Sequence, residues 1–178
     1  PTQLSGGRRR RVMLAMALIW GPKLLMADEP TTALDVTVQA QILKLLRDVS
    51  ERTRTALLFI THDLGVVAET CTRMLTMYAG EVVEDALVDD VLWRPRHPYT
   101  SGLLRSLPRL TERRAALPSI PGRVPAPDAM PTGCRFLPRC SHSISGCEIE
   151  QRIRAVPGDM HTVRCWRADD LELRGAVK

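Results

Sequence analysis

Apolar residues in the first part of the chain fall into two kinds of run. Two short, unbroken runs, at 23–27 and 55–60, each end at charged or ionisable residues, which is typical of buried parallel strands. Between them, apolar residues recur at helical spacing after Asp35, a residue type that caps helix N-termini. The Ala-, Leu- and Met-rich segment 6–19 predicts a further helix, which Gly21-Pro22 ends. This order of elements predicts an α/β fold with a parallel sheet covered by helices.

Shorter elements follow, and then the composition changes. The pattern predicts a helix over 64–71, strands over 74–78 and 81–83, and a helix over 92–107 that is interrupted around Pro95 to Pro98. Six prolines then crowd a short segment, which favours extended or turn-rich chain. They are Pro118, Pro121, Pro125, Pro127, Pro131 and Pro138. We therefore place a domain boundary near residue 86, and a linker at about 108–132.

Charge and cysteine content also differ between the first and the second part of the chain. The 178 residues carry a net charge of +5, but basic and acidic residues are equal in number over 1–100, so the excess lies in 101–178. Four of the five cysteines lie there too. The longest apolar stretch, 12–20, is about half of the ~20 residues that span a bilayer. No cationic start leads into an apolar run, so we expect a soluble protein without a signal peptide.

Ionisable residues follow both predicted parallel strands. Asp28 and Glu29 come directly after the first strand, and His62 and Asp63 come directly after the second. Because chemistry collects where parallel strands end, this constellation predicts a site that holds a metal ion, polarises a water, or does both. Gly6-Gly7 opens a helix and leaves free N–H groups at its positive end, which is a possible anion site.

The motifs, taken together, resemble those of ABC-type ATPases. The resemblance covers about residues 1–85, where four motifs occur in the family's order and spacing. They are the signature motif at Leu4-Ser5-Gly6-Gly7 with Arg11-Val12, the Walker B strand at 24–30, the D-loop at Thr31 to Asp35, and the switch histidine at His62. The resemblance implies a partial P-loop NTPase core over 1–86. It also implies ATP and Mg²⁺ as cofactors.

The resemblance assigns a role to each residue of these motifs. Ser5, Gly6 and Gly7 would grip the γ-phosphate of an ATP bound to the opposite subunit. Asp28 would hold Mg²⁺. The catalytic pair would be Glu29, which orients and deprotonates the attacking water, and His62, which contacts the γ-phosphate and stabilises the transition state. Asp35 would couple the two sites of the dimer.

Two features depart from the family pattern. Arg10 stands where the signature motif usually has Gln. The phosphate-binding sequence G-x-x-x-x-G-K-[ST] is absent from the chain. We therefore interpret the chain as the C-terminal portion of a longer ATPase subunit, and we expect it to be inactive alone.

The second part of the chain resembles the C-terminal extension of the oligopeptide/dipeptide importer ATPases. The similarity lies in the segment 94–100, Arg-Pro-Arg-His-Pro-Tyr-Thr, and in the cysteine segment 134–165. We expect residues 87–178 to form this extension, small, irregular and rich in Cys and Pro. The spacing of Cys134, Cys140, Cys147 and Cys165 is looser than in most zinc sites. By itself it leaves a cluster, a structural zinc and free thiols open.

The resemblance implies that these four cysteines ligate a 4Fe–4S cluster, with zinc as the alternative. We expect His142 and His161 to be structural, and Cys71 to belong to the core. The implied function is the ATP-hydrolysing subunit of a di- or oligopeptide importer. Alternatives are an importer ATPase for nickel or another small solute, a non-transport ABC ATPase, and an inactive remnant.

The implied partners are a second ATPase subunit and membrane permease subunits, with an extracytoplasmic peptide-binding protein as an indirect partner. No nucleic acid is expected among them. The implied location is the cytoplasmic face of the cell membrane.

Overall fold

The computed structural model describes residues 6–107 and 118–176. It divides into two compact units, Pro1–Cys71 and Thr72–Lys178. Ser5 and residues 108–117 of the expected linker lie outside the described residues. The domain boundary near residue 86 rests on composition and resemblance, and it stays a prediction.

The first unit is an α/β structure built on two parallel strands. β1 (Leu24–Asp28) pairs with β2 (Ala56–Ile60) in a parallel register. Three helices accompany the strands: α1 (Gly6–Leu18), α2 (Val36–Thr53) and α3 (Leu64–Thr70). The α/β class with a parallel sheet is therefore confirmed. α1, β1, β2 and α3 lie where the hydrophobic pattern predicts them, to within one residue, and α2 begins directly after its predicted cap, Asp35.

The core of the first unit lies between the sheet and α2. Leu25, Ile42 and Leu46 are buried, and they pack against half-buried apolar residues of α1, α2 and β2. Asp35 caps α2, because its Oδ1 accepts a hydrogen bond from the Val38 N–H at 2.9 Å. The cap sets the start of α2 and so the phase at which its apolar face meets the sheet.

The second unit contains a four-stranded sheet in the order β3-β4-β6-β5, with every pair antiparallel. Its strands are β3 (Arg73–Tyr78), β4 (Glu81–Leu87), β5 (Arg154–Ala155) and β6 (Thr162–Val163). β4 runs four residues beyond the predicted strand over 81–83. The pairing of β6 with Glu84 and Asp85 explains part of this difference, because that partner lies far away in sequence.

Two helices replace the single interrupted helix expected over 92–107. They are α4 (Val88–Trp93) and α5 (Pro98–Arg105). The interruption at residues 94–97 agrees with the prediction, but α4 begins four residues earlier than predicted. Residues 118–153 hold only two short 3-10 turns, Pro127–Ala129 and Leu137–Arg139, as expected for an irregular segment. Among the described helices, none has the length and apolar character of a membrane span.

Candidate functional site

The ends of the two parallel strands bring the predicted catalytic pair together. Asp28 lies opposite Ile60 in the register, so β1 and β2 finish at the same edge. The Glu29 N–H donates to the Ile60 carbonyl at 2.9 Å, which continues the pairing by one residue. Glu29 and His62 therefore leave the sheet side by side.

Glu29 and His62 contact each other directly. His62 Nδ1 lies 2.8 Å from Glu29 Oε1, and the Thr32 hydroxyl donates to Glu29 Oε2 at 2.7 Å. The side chains are 83% and 37% exposed for His62 and Glu29, so both reach solvent. Hydrogen bonding to His62, and then to Thr32, lowers the pKa of Glu29, while hydrogen bonding to Glu29 raises the pKa of His62. The carboxylate is therefore ionised at neutral pH and the imidazole binds a proton more readily than usual.

The backbone that presents Glu29 has an uncommon conformation. Glu29 has a φ of +44° and Ala33 has a φ of +60°, in the left-handed region that side chains with a Cβ seldom adopt. Arg10 of α1 reaches this turn: its Nη1 donates to the Glu29 carbonyl at 3.1 Å and to the Pro30 carbonyl, and its Nη2 donates to the Thr32 carbonyl at 2.5 Å. Sequence reasoning noted Arg10 only as a departure from the family pattern and did not foresee these contacts.

The residues predicted to bind nucleotide lie on different elements of the first unit and have different contacts. Gly6 and Gly7 form the first described turn of α1, and a Cβ on Gly7 would lie 2.9 Å from Val38 Cγ1, so this glycine permits close packing of α1 on α2. Asp28 is exposed beside Glu29. The Asp35 carboxylate is already engaged as the cap of α2. Nucleotide binding by these residues stays a prediction, as it does for Ser5.

The four predicted cluster ligands line one cavity of the second unit. Cys134, Cys140, Cys147 and Cys165 are half-buried free thiols around it. Residues 97–98 and 136–137 line the same cavity. Within the described ranges, 6–107 and 118–176, no three His, Cys, Asp or Glu side chains are grouped so that they could hold a metal ion. The cavity thus has the expected donor set, but its sulfurs are not gathered about a single ion.

Local backbone geometry builds this cavity. The Cys134 N–H donates to the Cys147 carbonyl at 2.9 Å, which joins two cysteines that are distant in sequence. A Cβ on Gly133 would lie 2.3 Å from the Glu148 carbonyl carbon, so only glycine permits this approach. Burial raises the pKa of the Cys134 thiol, and that of Cys165 to about 11, and backbone hydrogen bonds to both sulfurs act in the opposite direction. The thiols of Cys134 and Cys165 are therefore protonated at neutral pH unless a cation binds.

A buried carboxylate, which sequence reasoning missed, organises the second unit. Glu84 is fully buried and accepts hydrogen bonds from the Arg96 N–H at 2.5 Å and the His97 N–H at 3.1 Å. His161 Nε2 lies 2.7 Å from Glu84 Oε1, which supports the structural role expected for His161. Burial lowers the pKa of His97 to about 4, and its Nδ1 accepts from the Tyr99 N–H at 3.1 Å.

Comparison with known proteins finds similarity in both parts of the chain. Residues 1–32 match the family model for "ABC transporter", and residues 83–147 match that for "Oligopeptide/dipeptide transporter, C-terminal region". The chain is 52% identical over 166 residues to the oligopeptide transport ATP-binding protein AppD of Bacillus subtilis, covering 93% of this chain and 51% of that protein. It is 46% identical over 182 residues to the dipeptide transport ATP-binding protein DppD of the same organism, covering 100% of this chain and 54% of that protein.

A solved dimeric ATP-binding cassette, in a post-hydrolysis state with ADP and Pi, is 35% identical. The structural match covers 49% of this chain and 38% of the chain in that structure, with a TM-score of 0.45. The chain spans about half the length of the curated relatives it matches. The two family models, and the similarity to these relatives over nearly the whole of this chain, show that the chain belongs to the ABC transporter ATP-binding proteins of the oligopeptide/dipeptide type.

Proposed function

We propose that this chain is part of an ATP-hydrolysing subunit that energises ABC-type import of di- or oligopeptides. The observation that carries the proposal is the 2.8 Å contact between Glu29 and His62 at the common edge of β1 and β2. The names of the relatives, an oligopeptide and a dipeptide transport ATP-binding protein, support peptide as the cargo. In this proposal residues 1–86 are the C-terminal part of the nucleotide-binding domain, and residues 87–178 are the family's extension.

The roles of the catalytic pair follow from its charges. Phosphoryl transfer depends on positioning and on neutralising charge, so an ionised carboxylate and a protonatable imidazole at one point are the required groups. Glu29, whose pKa is lowered, is ionised and accepts a hydrogen bond from the attacking water. His62, whose pKa is raised, donates to the γ-phosphate. Their mutual contact keeps both side chains within reach of the same reacting centre.

The residues around the pair bind the nucleotide and its metal. Asp28 is an exposed carboxylate directly before Glu29, and carboxylates are suitable ligands for Mg²⁺. Magnesium would neutralise charge that develops on the phosphates. Ser5, Gly6 and Gly7 bind the γ-phosphate of the opposite subunit's ATP, and Asp35 couples the two sites. The partners are therefore a second ATPase subunit and the membrane permease subunits, with a peptide-binding protein acting indirectly, at the cytoplasmic face of the membrane.

Replacing Glu29 by Gln in the complete subunit tests this function. The amide preserves the size of the side chain but cannot accept the proton, so turnover should fall at least about 100-fold. ATP should still bind, and the ATP-bound dimer should accumulate in size-exclusion chromatography. Glu51→Gln, on the exposed face of α2, is the matched control. Hydrolysis by Glu29→Gln near the parent rate would refute the role of Glu29.

We also propose that the cysteine cavity holds a 4Fe–4S cluster rather than zinc. The support is the donor set: four free thiols line one cavity, and four thiolates are the usual ligands of such a cluster. Backbone hydrogen bonds to the sulfurs of Cys134, Cys140 and Cys165 would stabilise them as thiolates. A bound cluster would crosslink the irregular segments that carry these cysteines.

Metal analysis of protein purified without oxygen tests the cluster. We expect about four iron and four sulfide per chain, with broad visible absorption. Cys140→Ser should lose iron, whereas Cys71→Ser, which changes a half-buried cysteine of the first unit, should retain it. A colourless protein with stoichiometric zinc would exclude the cluster.

A further inference from the structure

Arg10 is bound to the turn that carries Glu29. Its guanidinium donates to three carbonyl groups of that turn, those of Glu29, Pro30 and Thr32. Arginine suits such a task because its N–H donors lie in one rigid plane and its charge is permanent. Its neighbour Arg11 has a different partner, the Gln41 side chain of α2, at 2.6 Å. Arg10 and Arg11, although adjacent in sequence, thus bind different elements.

The same turn has features that need support. Glu29 has a φ of +44° in spite of its side chain, and such a conformation persists only where the surroundings hold it. Within the turn, the Thr32 N–H reaches the Glu29 carbonyl at 3.3 Å, a long hydrogen bond. The Thr32 hydroxyl, in contrast, donates to the Glu29 carboxylate at 2.7 Å. Arg10 thus fixes the backbone of two residues, Glu29 and Thr32, whose side chains contact each other.

We propose that Arg10 is a positioning residue for Glu29, which it holds in the geometry that meets His62. The proposal rests on the catalytic role proposed for Glu29. Removing the guanidinium frees three carbonyl groups and lets the turn relax, which displaces the carboxylate. Gln, which has two N–H donors and no charge, should hold the turn only in part. Arg10 should therefore affect the rate of the chemical step more than the affinity for ATP.

Steady-state kinetics of the complete subunit test the proposal. For Arg10→Ala we expect kcat to fall about 10- to 100-fold, with KM for ATP within about twofold of the parent value, because misplacement of a reacting group costs rate. Arg10→Gln should lie between the two. The matched control is Arg47→Ala, which removes an arginine that binds Glu69 elsewhere in the same unit.

A second readout separates positioning from general loss of structure. The ring signal of His62 can be assigned in NMR spectra of the complete subunit as the signal that His62→Ala removes. Glu29 raises the pKa of His62, and Asp63 adds to this, so displacement of Glu29 by Arg10→Ala should bring that pKa down towards its ordinary value. Arg47→Ala should leave it unchanged.

The outcomes distinguish this inference from the proposed function. Parent-like kcat in Arg10→Ala, or a lowered kcat with an unchanged His62 pKa, would overturn the positioning role. If Arg10→Ala does not fold, the same two measurements on Arg10→Gln decide. A complete parent subunit that does not hydrolyse ATP, or a fully active Glu29→Gln variant, would instead refute the proposed function.

Discussion

The buried imidazole of His97 predicts that the second unit loses stability in mild acid. His97 is 1% exposed, and burial lowers its pKa from the usual 6.5 to about 4. The folded protein therefore resists protonation that the unfolded chain accepts. With a depressed folded-state pKa in a histidine, stability is complete above about pH 6.5 and falls as the pH drops towards 4.

The size of the effect follows from these two values. Linkage gives a loss of about 2.5 kcal/mol in the free energy of unfolding between about pH 7.5 and pH 4.5. Carboxylates also titrate in this range, so the contribution of His97 has to be isolated by a substitution. His97→Asn suits this purpose because its side-chain oxygen can accept the hydrogen bond from the Tyr99 N–H that caps α5.

Urea unfolding at the two pH values, followed by tryptophan fluorescence, measures the effect. Trp93 and Trp166 lie in the second unit and report on it. The parent protein should lose about 2.5 kcal/mol more than His97→Asn on acidification. If the two proteins lose the same stability to within about 0.5 kcal/mol, the pKa of His97 is not lowered and the reasoning is wrong.

Three further predictions concern contacts described above. Glu84→Gln replaces a buried carboxylate by an amide whose N–H₂ group would face hydrogen-bond donors. It should therefore destabilise the second unit by about 2–5 kcal/mol in urea unfolding. Glu81→Gln, at the partly exposed start of β4, should cost less than about 1 kcal/mol. Gly133→Ala should cost about 2–4 kcal/mol because its Cβ meets backbone, and Gly158→Ala, where only the positive φ is unfavourable, should cost about 1 kcal/mol in the same assay. The Glu29–His62 ion pair should persist from below the usual carboxyl pKa of 4.5 to above the usual histidine pKa of 6.5. Glu29→Gln should lower the pKa of His62 in an NMR titration, and a His62 pKa that stays at the parent value would contradict the contact.

The first unit could be predicted closely because a local sequence pattern marks each of its elements. β1 and β2 are continuous apolar runs that end at ionisable residues, and Asp35 is the N-cap residue that marks the start of α2. Parallel pairing then brings the strand ends together, so the contact of Glu29 with His62 follows from the order of elements. The contacts of Arg10 could not be predicted, because they depend on how α1 turns its side chains towards the backbone after β1.

The second unit was harder because its contacts join distant parts of the chain. Glu84 and His161 are 77 residues apart, and nothing in a hydrophobic pattern marks this glutamate on a strand as fully buried. The end of β4 was missed for a related reason, since β6 has only two residues and carries no strand pattern of its own. The four cysteines were found because residue type, rather than periodicity, identifies them.

The Glu84 contacts also explain what the segment 94–100 contributes to the extension. The backbone N–H groups of Arg96 and His97 donate hydrogen bonds to the Glu84 carboxylate, and His97 caps α5 through Nδ1. His97 also lines the cysteine cavity. The motif therefore supports the wall of that cavity instead of supplying reactive groups. If so, substitutions at Glu84 should release iron from the proposed cluster without changing a cysteine, whereas those at Glu81 should not. Equal iron retention in Glu84→Gln and Glu81→Gln, measured on folded protein, would show that the buried carboxylate and the cysteine cavity are independent.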